Sequence, residues 1–597
     1  MLRQAQERPI LRLRILQIVL AVIILILAAR LLDLQALRPE RYQASENVPT
    51  ESSRGPLGAI LEKNGRLLAA DFFMWRVEAD PTAFQSKDGN QEEREKQRVA
   101  LCLAEILDMP AGEILNSLRQ DGLYVVVHPE VSMEIAEEIE RRSQEETSSD
   151  EEEDPATAGC RWTSEQVWTS AYRLRFYPQG EFLAHLLGFV TRVGDSYYGV
   201  GEKYHEFLQG GTGALLRRQG AYTLPADFSI YLLSEAKHNL ILTTDRGIQF
   251  VIERALAKAV EDTGAEGGSI IVMDPATGAL LGSASYPEYD PNEYWKYSDD
   301  NPAIFNDPTI SLVYEPGSVF KIITIAAGLD SGAVTPDSVF DDPGQLEAGG
   351  HVFQNADRMP HGEVTVTEIL VFSFNVGVAQ VGEEMGVETF YKYVARFGFG
   401  RKTGVDLAHE VDGLVKHPGS QYWSISDLPA NSFGQGISVT PLQMLTAVAA
   451  VANGGMLMQP HVVDTLVEDG RAMKVPPVAV AQVIKPETAR LLTEMLVTVV
   501  EQGIPEARIE GYRVAGKTGT AQVPVEGKYH EEWTIASFAG FAPADDPAFA
   551  CLIKLDKPKT SPWGTRVAAP VFREIAPQIL RILQVPPDAE RLSNKGD

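Results

Sequence analysis

Ser318 and Lys321 stand three residues apart in Tyr314-Glu315-Pro316-Gly317-Ser318-Val319-Phe320-Lys321, just ahead of the apolar run Ile322 to Ala327. The run predicts a helix, and a spacing of three sets both side chains on one helical face. A serine hydroxyl is a weak nucleophile until a base takes its proton, and a lysine in a dry site can give up its own proton near neutrality. Ser318 is the candidate nucleophile and Lys321 its base. Gly317 permits a close backbone approach, and the first amides of a helix point outward. Taken alone, the pair reads more simply as a capping serine beside a surface lysine.

Two further segments change that balance. Ser373-Phe374-Asn375 follows the apolar Ile369 to Phe372. If its turn sends Phe374 away, Ser373 and Asn375 both face inward. The hydroxyl can then pass a proton between base and leaving amine, and the amide can hold a peptide bond. The third segment is Val514-Ala515-Gly516-Lys517-Thr518-Gly519-Thr520-Ala521. Small residues on a strand leave its backbone open to an added substrate strand. Lys517, Thr518 and Thr520 suit a terminal carboxylate.

The elements that must position these groups lie in 239–587. Leu240 to Thr243 reads as a strand, and Asp245 is placed to cap a helix over 246–262. Ser269 to Met273 and Ala279 to Ser285 read as a hairpin about Asp274 to Gly278. Trp533 to Phe541 and Phe549 to Leu555 are two more strands, with Cys551 buried in the second, and a helix runs over 569–583. Strands at both ends around a helical middle predict one discontinuous sheet with helices packed on it.

Upstream, 36–238 reads as a mixed domain. Ile60-Leu61 is a strand running into an Asn64-Gly65 turn, and 96–139 reads as helices about Pro110 and Gly112. The glycines of 178–217 predict strands and tight turns, and the acidic stretch 145–154 a solvated loop. Residues 588–597 are a short tail.

A chain of 597 residues exceeds one core, so two or more domains are expected. The net charge of -29 excludes a nucleic-acid partner, since phosphate would be repelled. Cys102, Cys160 and Cys551 have no metal-ligand spacing and leave the redox compartment open; no cofactor or metal motif is present. Arg3, Arg8, Arg12 and Arg14 precede the apolar Ile15 to Ala29. This predicts a cytoplasmic tail (1–10), a membrane-spanning helix (11–35) and an extracytoplasmic remainder, so a single-pass protein. A cleaved signal peptide is the alternative, although Ala28-Ala29-Arg30 is a poor cleavage site.

In order, serine-x-x-lysine, serine-x-asparagine and lysine-threonine-glycine form the signature of penicillin-binding proteins and class A β-lactamases. The chain resembles a class B penicillin-binding protein from the apolar N-terminal run to about Pro586. Arg54-Gly55 with Ile60 to Gly65, Arg175 to Pro178 with His185 to Gly188, and Gly201-Glu202 with Leu208 to Gly213 are similar to that family's pedestal motifs. Lys63 stands where arginine is usual. Met273 to Pro275, Thr277-Gly278, Ser285 to Pro287 and Asp290 to Asn292 look like the opening of its catalytic domain.

The resemblance implies an α+β fold. A penicillin-binding, serine β-lactamase-like transpeptidase domain, an antiparallel sheet with flanking and inserted helices, stands on an elongated pedestal behind one transmembrane helix. It implies a D,D-transpeptidase that cross-links peptidoglycan stem peptides with release of D-alanine and is inhibited by β-lactams. Catalytic roles fall to Ser318, Lys321, Ser373 and Lys517, and substrate binding to Asn375, Thr518, Gly519 and Thr520. The backbone amides of Ser318 and Thr520 form the oxyanion hole. Implied partners are stem peptides and nascent glycan strands, β-lactams, and a SEDS-type membrane glycosyltransferase, since no glycosyltransferase domain resembles 36–238. Phe433 to Gln443 looks like the division or sporulation branch, which points to septal synthesis, with elongation-type and sporulation-type (spore-cortex) synthesis as the alternatives. A β-lactamase or a β-lactam-sensing receptor shares the same cleft chemistry, and a decayed scaffold is the non-enzymatic alternative.

Overall fold

The computed structural model describes residues 56–84, 86, 89–144, 160, 162–210, 222–223, 238–525 and 528–594. Contacts divide the chain into two compact units, one built on Phe72–Leu174 and one on Arg54–Asp71 with Arg175–Asp597.

In the first unit, residues 72–79 of strand Leu67–Ala79 pair antiparallel with Val125–Val131, from Trp75 against Val131 to Ala79 against Val125. Helices Gly89–Leu107, Ala111–Leu118 and Met133–Gln144 pack their apolar stripes into a core with Val77, Val99, Leu103, Ile114, Leu118 and Ile139. The helical reading of 96–139 misses Val125–Val131, where consecutive β-branched residues favour a strand. Cys102 and Cys160, 58 residues apart, form a disulfide. Neither spacing nor count announces that pair, because the fold alone brings the two together. The acidic stretch 145–154 lies outside the described residues.

The expectation of an N-terminal membrane helix, and with it the single-pass topology, is corrected. Among the described residues no helix is long and apolar enough to cross a membrane. The longest, Gly89–Leu107, carries Glu92, Glu93, Arg94, Glu95, Lys96 and Arg98 within two turns, charges that hydrocarbon would not accept. Residues 11–35 lie outside the described set.

The second unit holds all three chemical motifs. Asp245 caps helix α1 (Arg246–Thr263) by accepting from the amides of Gly247 and Ile248, and it also pairs with Lys63 at 2.6 Å. The central sheet uses β1 (Gly267–Met273), β2 (Leu280–Tyr286), β4 (Ala515–Val525), β5 (Lys528–Ala542) and β6 (Phe549–Asp556), while β3 (Val339–Asp342) lies apart from it. Its order is β2-β1-β6-β5-β4, antiparallel throughout. The expected discontinuous sheet is therefore present, with β4 at one edge. Cys551 is fully buried within β6. Short helices at Ala184–Leu187, Gly199–Lys203 and His205–Leu208 interrupt the glycine-rich stretch, which has no long helix among its described residues. Arg175 lies almost wholly buried, donating to the carbonyls of Leu57 and Gly58 and to Asp71.

Candidate active site

Gly317–Phe320 forms one 3-10 turn that runs into helix α2 (Lys321–Ser331). Gly317 adopts φ 53°, and a Cβ there would lie 3.0 Å from the Thr520 carbonyl oxygen. Across the gap, a Cβ on Gly519 would lie 2.8 Å from the Pro316 carbonyl oxygen and 2.9 Å from Val319 Cγ2. The two glycines thus let the serine turn press directly on edge strand β4. Ser318 is half-buried at this junction.

Lys321 is fully buried. Its amine donates to the Ser373 carbonyl oxygen at 2.5 Å, to Ser373 Oγ at 3.2 Å and to Asn375 Oδ1 at 2.8 Å. Among the described residues no carboxylate touches it. Burial pulls its pKa well below the usual lysine range; the nearby Lys517 charge pulls the same way, and Asp342 opposes both. A lysine held like this carries its neutral form readily, as a base must. No hydrogen bond joins the amine to Ser318 Oγ among the described residues, and such contacts often tighten only when substrate is bound.

Ser373 ends helix α3 (Val366–Phe372) in the left-handed conformation, φ 63°. That reversal turns Phe374 away to stack on His361, with ring centroids 3.9 Å apart. Ser373 and Asn375 are left facing one amine. Asn375 opens helix α4 (Asn375–Met385) and donates through Nδ2 to the Gln354 carbonyl. Asn355 Oδ1 accepts from the amides of Asn375 and Val376.

Lys517, on β4, is 2% exposed, and burial pushes its pKa down to about 7. Thr518 Oγ1 lies 3.4 Å from Thr565 Oγ1, and Thr520 Oγ1 accepts from the Gly564 amide at 3.1 Å. Gly519 supplies the thin backbone against which the serine turn rests. All eight residues singled out from the sequence therefore belong to two neighbouring clusters, one on Lys321 and one on β4 beneath the Ser318 turn.

Sequence reasoning missed the groups that brace them. The Gly317 amide donates to the Gly434 carbonyl at 3.0 Å, and a Cβ on Gly434 would lie 2.2 Å from the Gly317 carbonyl oxygen. Glu315 accepts from the Gly436 amide and the Tyr529 hydroxyl, and burial raises its pKa. The signal was present in Phe433-Gly434-Gln435-Gly436, since two glycines around one residue mark tight backbone.

The profile of the penicillin binding protein transpeptidase domain matches residues 268–576, and that of the penicillin-binding protein dimerisation domain matches 50–212. Stage V sporulation protein D of Bacillus subtilis is 32% identical, over 92% of this chain and 81% of its own length. The peptidoglycan D,D-transpeptidase FtsI of Escherichia coli K12 is 29% identical, over 95% and 88%. The crystal structure of penicillin binding protein 3 from Mycobacterium tuberculosis in complex with aztreonam superposes with a TM-score of 0.64 at 26% identity, over 89% of this chain and 97% of that one. The catalytic-domain match alone spans more than half of the sequence, and with the dimerisation-domain match ahead of it the chain belongs to the class B penicillin-binding proteins.

Proposed function

We propose that this chain is a serine D,D-transpeptidase that cross-links peptidoglycan stem peptides through an ester on Ser318. The observation that carries this reading is the buried amine of Lys321. Burial lowers its pKa well below the usual lysine range, and it is held by Ser373 and Asn375 one helical turn from a half-exposed serine.

Neutral Lys321 takes the Ser318 proton as Oγ attacks the carbonyl of the penultimate D-alanine. The oxyanion forms between the backbone amides of Ser318 and Thr520; losing one such donor typically costs about 3–4 kcal/mol. Collapse breaks the C–N bond, and the proton reaches the departing D-alanine amine through the Ser373 hydroxyl. An amine from a neighbouring stem peptide then attacks the ester, its proton returns by the same route, and the Ser318 hydroxyl is restored. Lys517, Thr518 and Thr520 hold the terminal carboxylate, and Asn375 holds the acyl-side amide. A β-lactam offers the same carboxylate and a strained amide, so it acylates Ser318 and remains.

The enzyme works with other cell-wall synthesis proteins. We assign polymerisation of the glycan to a separate SEDS-type membrane partner, which fits a matched N-terminal domain of the dimerisation type. The Phe433 to Gln443 segment supports septal over elongation synthesis.

Labelling with fluorescent penicillin, followed by peptide mapping, tests the mechanism. One adduct on Ser318, absent from Ser318→Ala, is expected. Equal labelling of the substituted protein would remove Ser318 from the reaction.

A further inference from the structure

Asp342, the last residue of β3, is a fully buried carboxylate that no cation contacts among the described residues. It accepts from the Gly344 amide at 2.8 Å and from Asn355 Nδ2 at 3.0 and 2.8 Å, one contact to each carboxylate oxygen. An unpaired charge in such a place is expensive to bury, so a role beyond packing is expected of it. Asn355, itself 3% exposed, turns its other end outward. Its Oδ1 accepts from the Asn375 amide at 2.9 Å and from the Val376 amide at 3.1 Å, the first two residues of α4.

Asn355 therefore acts as a cap supplied from outside the helix. A helix start leaves its first amides without partners, and here a side chain twenty residues upstream satisfies two of them. Asp342 fixes which way that cap faces. A carboxylate can only accept, so the Asn355 NH2 must point at it and the Asn355 oxygen must point at α4. The start of α4 in turn sets Asn375, whose Oδ1 is 2.8 Å from Lys321 Nζ, and it closes the turn holding the Ser373 carbonyl 2.5 Å from the same amine.

We propose that Asp342 is a positioning residue for the acylation reaction, acting through Asn355 to hold Ser373 and Asn375 on the Lys321 amine. The inference rests on the reading of Lys321 as base. It goes beyond that reading by giving the three motifs a fourth, buried member that touches neither substrate nor nucleophile. The field of the carboxylate works alongside the geometry. The charged groups facing Lys321 are Lys517 from β4 and Asp342 from β3, while Ser373 and Asn375 are neutral. Of these two charges, only that of Asp342 favours the protonated amine. Its removal leaves Lys321 easier to deprotonate but poorly held.

The test compares native protein, Asp342→Asn and the exchanged pair Asp342→Asn with Asn355→Asp. The second-order rate of fluorescent-penicillin acylation is followed from mildly acidic through alkaline pH, together with thermal unfolding. In Asp342→Asn the new NH2 opposes the Asn355 NH2, and the charge is lost. Acylation is expected to slow by about 10–100-fold, with the ascending limb of the pH profile moved to lower pH, a shift that loss of packing does not produce. In the exchanged pair the new carboxamide donates to the new carboxylate, which still accepts from the α4 amides. At least a tenfold recovery is expected.

A folded Asp342→Asn protein with native rate and pH profile overturns the inference, as does a folded exchanged pair no faster than the single variant. If Asp342→Asn does not fold, a folded exchanged pair near the native rate supports the inference and a slow one overturns it. If neither folds, the pair serves folding and the inference falls. An adduct mapped away from Ser318 in native protein would instead sink the underlying assignment of the nucleophile.

Discussion

The amine of Lys321 lies 2.5 Å from the carbonyl oxygen of Ser373, a residue whose backbone stands at φ 63°. A non-glycine residue in that conformation carries strain of order 1–3 kcal/mol, and the contact shows what the strain secures. Only the left-handed turn presents carbonyl and hydroxyl to one lysine while sending Phe374 the other way.

Ser373→Gly should therefore separate stability from activity. Glycine accepts the turn freely, so the variant is expected to unfold no earlier than native protein, and up to about 1 kcal/mol later. Without the hydroxyl, release of D-alanine from a stem-peptide substrate should fall by about 100-fold or more. Thermal melts beside turnover assays check both halves.

Lys517 supplies a pH dependence with a definite sign. Its folded pKa, near 7, lies below the unfolded value of roughly 10.4. Between those values the unfolded chain binds the additional proton, so this lysine makes stability rise with pH across that window. Relative to Lys517→Met, native protein should gain resistance to denaturant from neutral toward alkaline pH. Acylation should move the opposite way, because the carboxylate needs the charged amine. Its rate should decline above about pH 7, with the apparent values belonging to the Lys321–Lys517 pair together.

Gly434→Ala is expected to disable the nucleophile without touching it. The added methyl would lie 2.2 Å from the Gly317 carbonyl oxygen, and the serine turn must shift to admit it. A displacement of that size should lower acylation by about 100-fold. Gly454→Ala is the comparison: it shares a positive φ but meets nothing within 4 Å, so it should lose stability alone.

The Cys102–Cys160 disulfide closes a long loop in the first unit. Replacing both cysteines with alanine should lower the stability of that unit by about 2–4 kcal/mol. Penicillin labelling of Ser318 should be unchanged. Unfolding monitored by differential scanning calorimetry, with labelling in parallel, separates the two effects.

Much of this site is legible before any coordinates. Ser318, Lys321, Ser373, Asn375 and Lys517 to Thr520 declare themselves through residue type and order, because each motif is local in sequence. The strands flanking them declare themselves through apolar runs, as in Phe549 to Ile553 within Phe549–Asp556. What stays hidden is the bracing. Gly434, Asn355 and Asp342 act across 117, 20 and 13 residues, on Gly317, Asn375 and Asn355 respectively. No periodicity records a contact of that kind. Val125–Val131 was obscured for a different reason, since its charged and helical neighbours dominate any window wide enough to judge it.

The order of strands in the central sheet also constrains how the enzyme is made. Its first two strands, β1 and β2, leave the ribosome long before β6 is available to pair with β1, and the inserted helices emerge in between. Until the last strands arrive, Ser318 and Lys321 have already been synthesised but lack Lys517 and the β4 backbone beneath them. A chain terminated before β4 therefore exposes an unpaired β1 edge and carries no assembled catalytic centre. Acylation competence therefore waits for β4 to β6, so penicillin labelling also reports that the chain has been made through its last sheet strands.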